Sequence, residues 1–111
     1  FEALETSAGT APELIHISGG GARADSWCQI RADVLGKPLR RTTIPAAAAL
    51  GAAIIAGVGS GAFPSLAKAV RELVVFERTF EPREERRALH DDRQRHYRAL
   101  YQALRPFNQG F

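Results

Sequence analysis

Apolar and polar residues fall in blocks along the chain, and the spacing within each block predicts its structure. LIHIS, Leu14 to Ser18, is a short apolar run followed at once by glycines, which predicts a buried strand. Beyond them, Trp27, Ile30, Val34 and Leu35 keep the i, i+3, i+7, i+8 spacing of one buried helical face, with Asp25 or Ser26 as its cap and Gly36 as its stop. PLRRTT, Pro38 to Thr43, suits a second strand. Thr43 then caps a further helix that carries Pro45 in its first turn and runs through AAAALGAAIIAG to about Gly57. Ser65 precedes Leu66, Ala69, Val70, Leu73 and Val74, the pattern of another amphipathic helix. An extended VVFERTFEP follows and is closed by Pro82. Glu84 to Leu104 reads as a long helix with Leu89, Arg93, Tyr97, Leu100 and Leu104 roughly on one face. Strand, glycine loop, helix, strand, helix is the order of a parallel βαβ unit, and ligands of such units lie beyond the carboxyl ends of the strands, where these glycines sit.

Composition narrows the class. With 111 residues, 45% hydrophobic and 24% charged, the chain has the makeup of an ordinary globular domain or part of one. A net charge of +3, from 15 Lys and Arg against 12 Asp and Glu, is too weak a bias to imply nucleic acid unless the charges cluster. The single Cys28 excludes an internal disulfide and fits a reducing, cytoplasmic setting. The most apolar stretch, Ile44 to Val58, is broken by Pro45 and glycines and falls short of the ~20 residues a membrane span needs, so it reads as a buried soluble helix. The chain contains no methionine, and FEALETSAG reads as the tail of a helix stopped at Gly9. Together these predict a piece of a larger protein, or a processed or trimmed one.

The candidate chemistry lies in HISGGGARADSW, His16 to Trp27. Glycines leading into a helix let an anion reach unpaired backbone N–H groups without meeting a Cβ atom, and phosphate is the usual anion. A sharp strand-to-helix turn with close packing needs glycines equally well. Gly19, Gly21 and Ala24 also satisfy the loose dinucleotide pattern G-x-G-x-x-G/A, with Arg40 and Arg41 where a 2′-phosphate reader would sit. An NADP-binding Rossmann-type oxidoreductase is therefore an alternative, although a helix remnant and a loop precede the pattern here. Six arginines between Arg83 and Arg98 raise a second alternative, a basic helix that binds nucleic acid. Glu84, Glu85, Asp91 and Asp92 are interleaved with them, which favours ion pairing on a solvated face.

Order and content together constrain more. IHISGGGARADSWCQIRADVLGKPLRR, then AAALGAAIIAGVGSGAF, then ERTFEP and YRALYQALRP resemble the C-terminal domain of the FGGY carbohydrate kinases, most closely the xylulokinase-like members, over about Phe1 to Pro106. The resemblance implies an α/β fold, the C-terminal part of an actin-like (ribonuclease H-like) ATPase domain built on the parallel βαβ unit plus additional helices. It implies that residues 1–111 are a partial nucleotide-binding domain of a two-domain sugar kinase, and that the two domains close over ATP, with Mg2+, and a sugar. The parent would phosphorylate a pentulose such as xylulose or a related polyol in the cytoplasm, with no nucleic-acid or membrane partner; a homodimer is compatible with this. By position, Gly19, Gly20, Gly21 and Ala22 match the family's nucleotide loop, whose backbone meets ATP. Ala24 stands where relatives often have Ser or Asn, and Ala46 where they have Glu. The resemblance puts the catalytic aspartate in the other domain, so this segment is expected to hold no catalytic residue and no metal ligand.

The remaining residues have structural readings. Asp25 is expected to cap a helix, Asp33 to be an exposed helical residue, and Asp91 with Asp92 to form a solvated face. His16 has no partner at metal-ligand spacing and reads as packed or hydrogen-bonded. Cys28 is expected to be buried without chemistry, and Trp27 to anchor the core.

Overall fold

A computed structural model describes residues 2–108; Phe1, where the family resemblance begins, lies outside the described residues. The elements are α1 (Glu2–Ala8), β1 (Ile15–Ile17), a 3-10 turn (Gly20–Ala22), α2 (Asp25–Leu35), β2 (Leu39–Thr42), α3 (Ala47–Gly59), α4 (Leu66–Leu73), β3 (Phe76–Phe80) and α5 (Glu84–Asn108). The sheet has the order β1-β2-β3. β1 and β2 are parallel, with Ile15 opposite Leu39 and Ile17 opposite Arg41, and α2 makes the crossover. The βαβ unit expected from the glycine pattern is present. β3 adds to it antiparallel, with Leu39 opposite Phe80 and an irregularity in register between Arg41 and Thr42.

The core is small and sits between α2 and the sheet. Ile17, Ala22, Cys28, Ala32, Leu39 and Phe80 form it, with Ile15 and Leu35 packed alongside. Here the structure corrects the expected α2 face. α2 carries two apolar stripes, and it turns the small one, Cys28 and Ala32, to the sheet. Small side chains let the helix backbone approach the strands closely, whereas Trp27, Ile30 and Val34 would hold it away. Those three are exposed, so Trp27, at 46% exposure, is not a core anchor. With Ile15, Ile17 and Leu39 they line an open apolar groove instead. α2 ends as expected, at Gly36 in the left-handed region (φ 62°), whose N–H donates to the Ala32 carbonyl at 2.8 Å.

Two further expectations are corrected. α3, read as a buried helix, buries only Ile54 among its residues, and Ile55 is 67% exposed. It packs against α4, and the Phe63 ring lies over it at Gly57. Thr43 does not cap α3: its N–H and hydroxyl both engage the Val75 carbonyl, at 2.9 and 3.2 Å, and Ala46 occupies the cap position. α4 starts as read, with the Ser65 hydroxyl accepting from the Lys68 N–H at 3.2 Å. Among the described residues, no helix is long and apolar enough to cross a membrane.

Candidate functional site

β1 delivers the chain into Gly19, Gly20, Gly21 and Ala22 at its carboxyl end, and each of these four positions is held differently. Gly19 has φ 86° and ψ −176°, a conformation that residues with a Cβ rarely adopt. At Gly21 an added Cβ would stand 3.3 Å from the Arg31 guanidinium, tighter than an ordinary contact. Ala22 is 2% exposed and belongs to the core. Gly20 has none of these constraints. Its φ is negative, and a Cβ there would meet nothing within 4 Å. The Ala22 and Arg23 N–H groups donate to the Gly19 and Gly20 carbonyls at 3.0 and 3.3 Å, which closes the 3-10 turn. As the first residues of the turn, Gly20 and Gly21 have N–H groups with no place in that bonding. Beside the turn lies a cavity of ≈ 190 Å³ whose wall includes Gly19, Arg41, Thr43 and Glu77.

Arg41 from β2 and Cys28 from α2 bond the turn directly, and Asp25, Glu77 and Arg78 form a charged cluster with Arg41. Arg41 Nη1 donates to the Ala22 carbonyl at 3.0 Å, to Asp25 Oδ1 at 2.7 Å and at longer range, 3.4 Å, to the Arg23 carbonyl. Its Nε faces the Glu77 carboxylate in a close ion pair, and Arg78 pairs with the other Asp25 oxygen. The Asp25 hydrogen bond raises the Arg41 pKa above its ordinary value against the opposing effect of burial, and Glu77 adds to the rise. Asp25 therefore acts as a hub for two arginines and not as a cap. The N-cap of α2 is Ala24, extended at φ −92° and ψ 118°, with no side-chain cap bond. Ala24 and Ala46 both stand at helix N-caps, with no side-chain cap bond at either. Cys28 is buried as expected, and its Sγ–H donates to the Ala22 carbonyl at 3.2 Å.

Arg40 and Arg41 are not arranged as a phosphate-reading pair. Arg41 is bound by two carboxylates, and Arg40 lies over the Phe76 ring at 5.1 Å. His16 packs its ring 4.4 Å from Phe76. On α5 the arginines are interleaved with acids as read, with Arg87 paired to Asp91 and Arg95 to Asp92.

Asp33, expected to be exposed, is 1% exposed. It accepts from Arg83 Nη2 at 2.6 Å, Arg83 Nε at 3.0 Å, the Arg83 backbone N–H at 2.9 Å and Gln29 Nε2 at 3.0 Å. Burial alone would push its pKa up. The Arg83 and Gln29 bonds outweigh that and hold it at about 2. Its signal in sequence is an Asp on the small-residue stripe of α2, which the larger apolar stripe masks. Asp33 pins the β3–α5 junction and is remote in role from the glycine turn.

A triphosphate fits the turn in one definite respect, since Gly20 leaves its backbone uncovered where a side chain would otherwise stand. For Mg2+ the described residues offer no group of three or more His, Cys, Asp or Glu side chains placed to hold an ion. Asp25 and Glu77 are already paired with arginines.

Residues 1–60 match the C-terminal domain of the FGGY family of carbohydrate kinases. An autoinducer-2 kinase of Escherichia coli O9:H4 (strain HS) is 42% identical over 91 residues, 82% of this chain and 17% of the relative, so the chain spans about a sixth of that protein's length. A xylulose kinase from Rhodospirillum rubrum superposes with a TM-score of 0.74 at 33% identity, over 96% of this chain and 22% of that one. The ligand-bound xylulose kinase from Lactobacillus acidophilus superposes with a TM-score of 0.78 at 19% identity, over 93% of this chain and 21% of that one, a likeness of fold. The architecture is that of the actin-like ATPase fold found in these sugar kinases, as expected.

Proposed function

Because this chain belongs to the FGGY family of carbohydrate kinases, as part of its C-terminal domain, we propose that it forms the nucleotide side of an ATP-dependent sugar kinase. The parent enzyme moves the γ-phosphoryl group of ATP to a hydroxyl of a pentulose such as xylulose, or of a related polyol. The P–O bond to the sugar oxygen forms as the bond to ADP breaks, and the hydroxyl proton passes to a base outside these residues. Asp25 and Asp33 do not serve as that base, because arginines hold both carboxylates. The contribution of this chain is a stiff backbone surface. Phosphoryl transfer depends largely on positioning and charge stabilisation, which N–H groups aimed at a phosphate can supply.

Gly20 carries the reading. Backbone conformation accounts for Gly19, and at Gly21 a Cβ would meet only the end of the Arg31 side chain, but at Gly20 neither backbone nor packing requires a glycine. Close approach of a ligand to the main chain supplies the missing reason. Packing and function therefore make opposite forecasts for Gly20→Ala in the full-length enzyme. Stability should rise by roughly 0.4–1 kcal/mol, through the lower entropy of the unfolded chain, whereas the KM for ATP should increase. Gly20→Val should increase the ATP KM further while leaving that for the sugar nearly unchanged. The checks are thermal melting and steady-state kinetics, with titration of the wild-type enzyme by ATP and by NADPH as a control. An unaltered ATP KM in Gly20→Val, or tight binding of NADPH in place of ATP, contradicts the proposal.

A further inference from the structure

Resting on the reading of the glycine turn as a nucleotide cradle, we propose that Arg41 is a positioning residue, which sets the conformation of Gly19–Ala22 for ATP without binding its phosphates by charge.

Arg41 lies on β2, next to the register irregularity and opposite Arg78. From there its guanidinium reaches the loop that leaves the parallel neighbour β1, and its hydrogen bonds run from Nη1. Nη1 takes the Ala22 carbonyl and Asp25, so one group joins the last residue of the turn to the first residue of α2. Nε stands beside the Glu77 carboxylate of β3 as an ion pair, without a hydrogen bond to it. The Phe80 ring lies beneath, 5.4 Å from the guanidinium carbon. The Ala22 carbonyl thus receives both Arg41 and the Cys28 thiol, while the Gly19 and Gly20 carbonyls receive only the turn's own N–H groups in the bonds described above. Three successive glycines form the most flexible tripeptide available, and ordering them on binding would cost affinity. A clamp at the Ala22 end removes part of that cost before the ligand arrives.

The charge arrangement argues against direct phosphate binding. Asp25 and Glu77 supply two negative charges, and Arg41 and Arg78 two positive ones, so the cluster is neutral as a unit. Arg41 is largely buried in that cluster and would have to surrender carboxylates to take a phosphate. Shape and not charge is what the site draws from it. Lysine keeps the charge but lacks the planar fork that bonds Ala22 and Asp25 through Nη1 while holding Nε beside Glu77.

The test uses the full-length enzyme with Arg41→Gln, Arg41→Lys and, in parallel, Gly20→Val. Both Arg41 variants are expected to raise the KM for ATP about tenfold, the loss of one charge-assisted hydrogen bond, with the sugar KM unchanged. Wild-type ATP kinetics in Arg41→Lys would mean that the charge is the active property, and this overturns the proposal. An equal loss for ATP and sugar, accompanied by a lower melting temperature, would make Arg41 merely structural and also overturns it. If the Arg41 variants do not fold, Glu77→Gln at an exposed site carries the same test: a raised ATP KM with the sugar KM unchanged supports the clamp, and an unchanged ATP KM refutes it. An effect of Gly20→Val with silent Arg41 variants removes the positioning role alone, whereas silence at Gly20 removes the nucleotide reading beneath it.

Discussion

Asp33 is a buried carboxylate that receives hydrogen bonds from Arg83 and Gln29 while its partner guanidinium stays half-exposed. That asymmetry determines what it contributes. Burial opposes ionisation, and the donors reverse the balance, taking the pKa from the ordinary 3.8 to about 2. A depressed carboxylate pKa stabilises the folded state above the unfolded value, and the gain disappears as pH falls from about 4 through about 2. Because water screens the exposed side of Arg83, the contribution is on the order of 1 to 2 kcal/mol. Asp33→Asn is therefore expected to lower stability near neutral pH by about that amount, and its acid unfolding profile should lose the wild-type slope between these two pH values. Urea unfolding of the enzyme at a series of pH values checks both. A variant with an undiminished slope would assign the acid sensitivity to other carboxylates.

At the scale of elements, α2 links the core to the candidate site. Its N-terminus follows the glycine turn, its small-residue stripe meets the sheet, and its C-terminus closes on Gly36. The weak point is its first turn, because Ala24 has the extended backbone of an N-cap but no side chain able to accept from the Ser26 N–H, while the Trp27 N–H donates to the Ala24 carbonyl at 3.1 Å. Ala24→Ser is expected to stabilise the domain by about 1 kcal/mol, which thermal melting of the full-length enzyme reads directly. No rise in melting temperature would mean that the Arg41–Asp25 contact already secures this end. Such local rules were legible in the sequence: Gly36 as a stop, Ser65 as a cap, the βαβ order and the position of the glycine turn all follow from residue type and spacing. The faces were less so. Choosing the buried side of α2 from the largest apolar residues failed because close helix–sheet packing favoured Cys28 and Ala32, and that choice hid Asp33. The Arg41 clamp was equally hidden, since it joins residues from three elements whose proximity exists only after the sheet pairs β2 with both neighbours.

Across the whole molecule, apolar surface is distributed in a way that the small core does not explain. Trp27, Ile30 and Val34 border the groove beside β1, Ile55 projects from α3, and Tyr97, Leu100 and Leu104 lie exposed along α5. Exposed apolar areas of this kind mark surfaces that another chain segment or protein covers. The chain also spans only 17% of the E. coli autoinducer-2 kinase that it matches. The 111 residues expressed alone are thus expected to bind a hydrophobic dye, to self-associate in sedimentation experiments and to phosphorylate no ketopentose, because the proposed role of the glycine turn is nucleotide contact and not removal of the hydroxyl proton. Within the full-length enzyme the dye signal per mole should fall, as the groove and the α3 surface lose contact with water. Dye binding that is equally strong in the full-length enzyme would mean that these surfaces face solvent there too, and would point to an external partner. Sugar phosphorylation by the isolated residues would be more damaging, since it would require a proton acceptor within this chain, where Asp25, Asp33 and Glu77 are each paired with arginine.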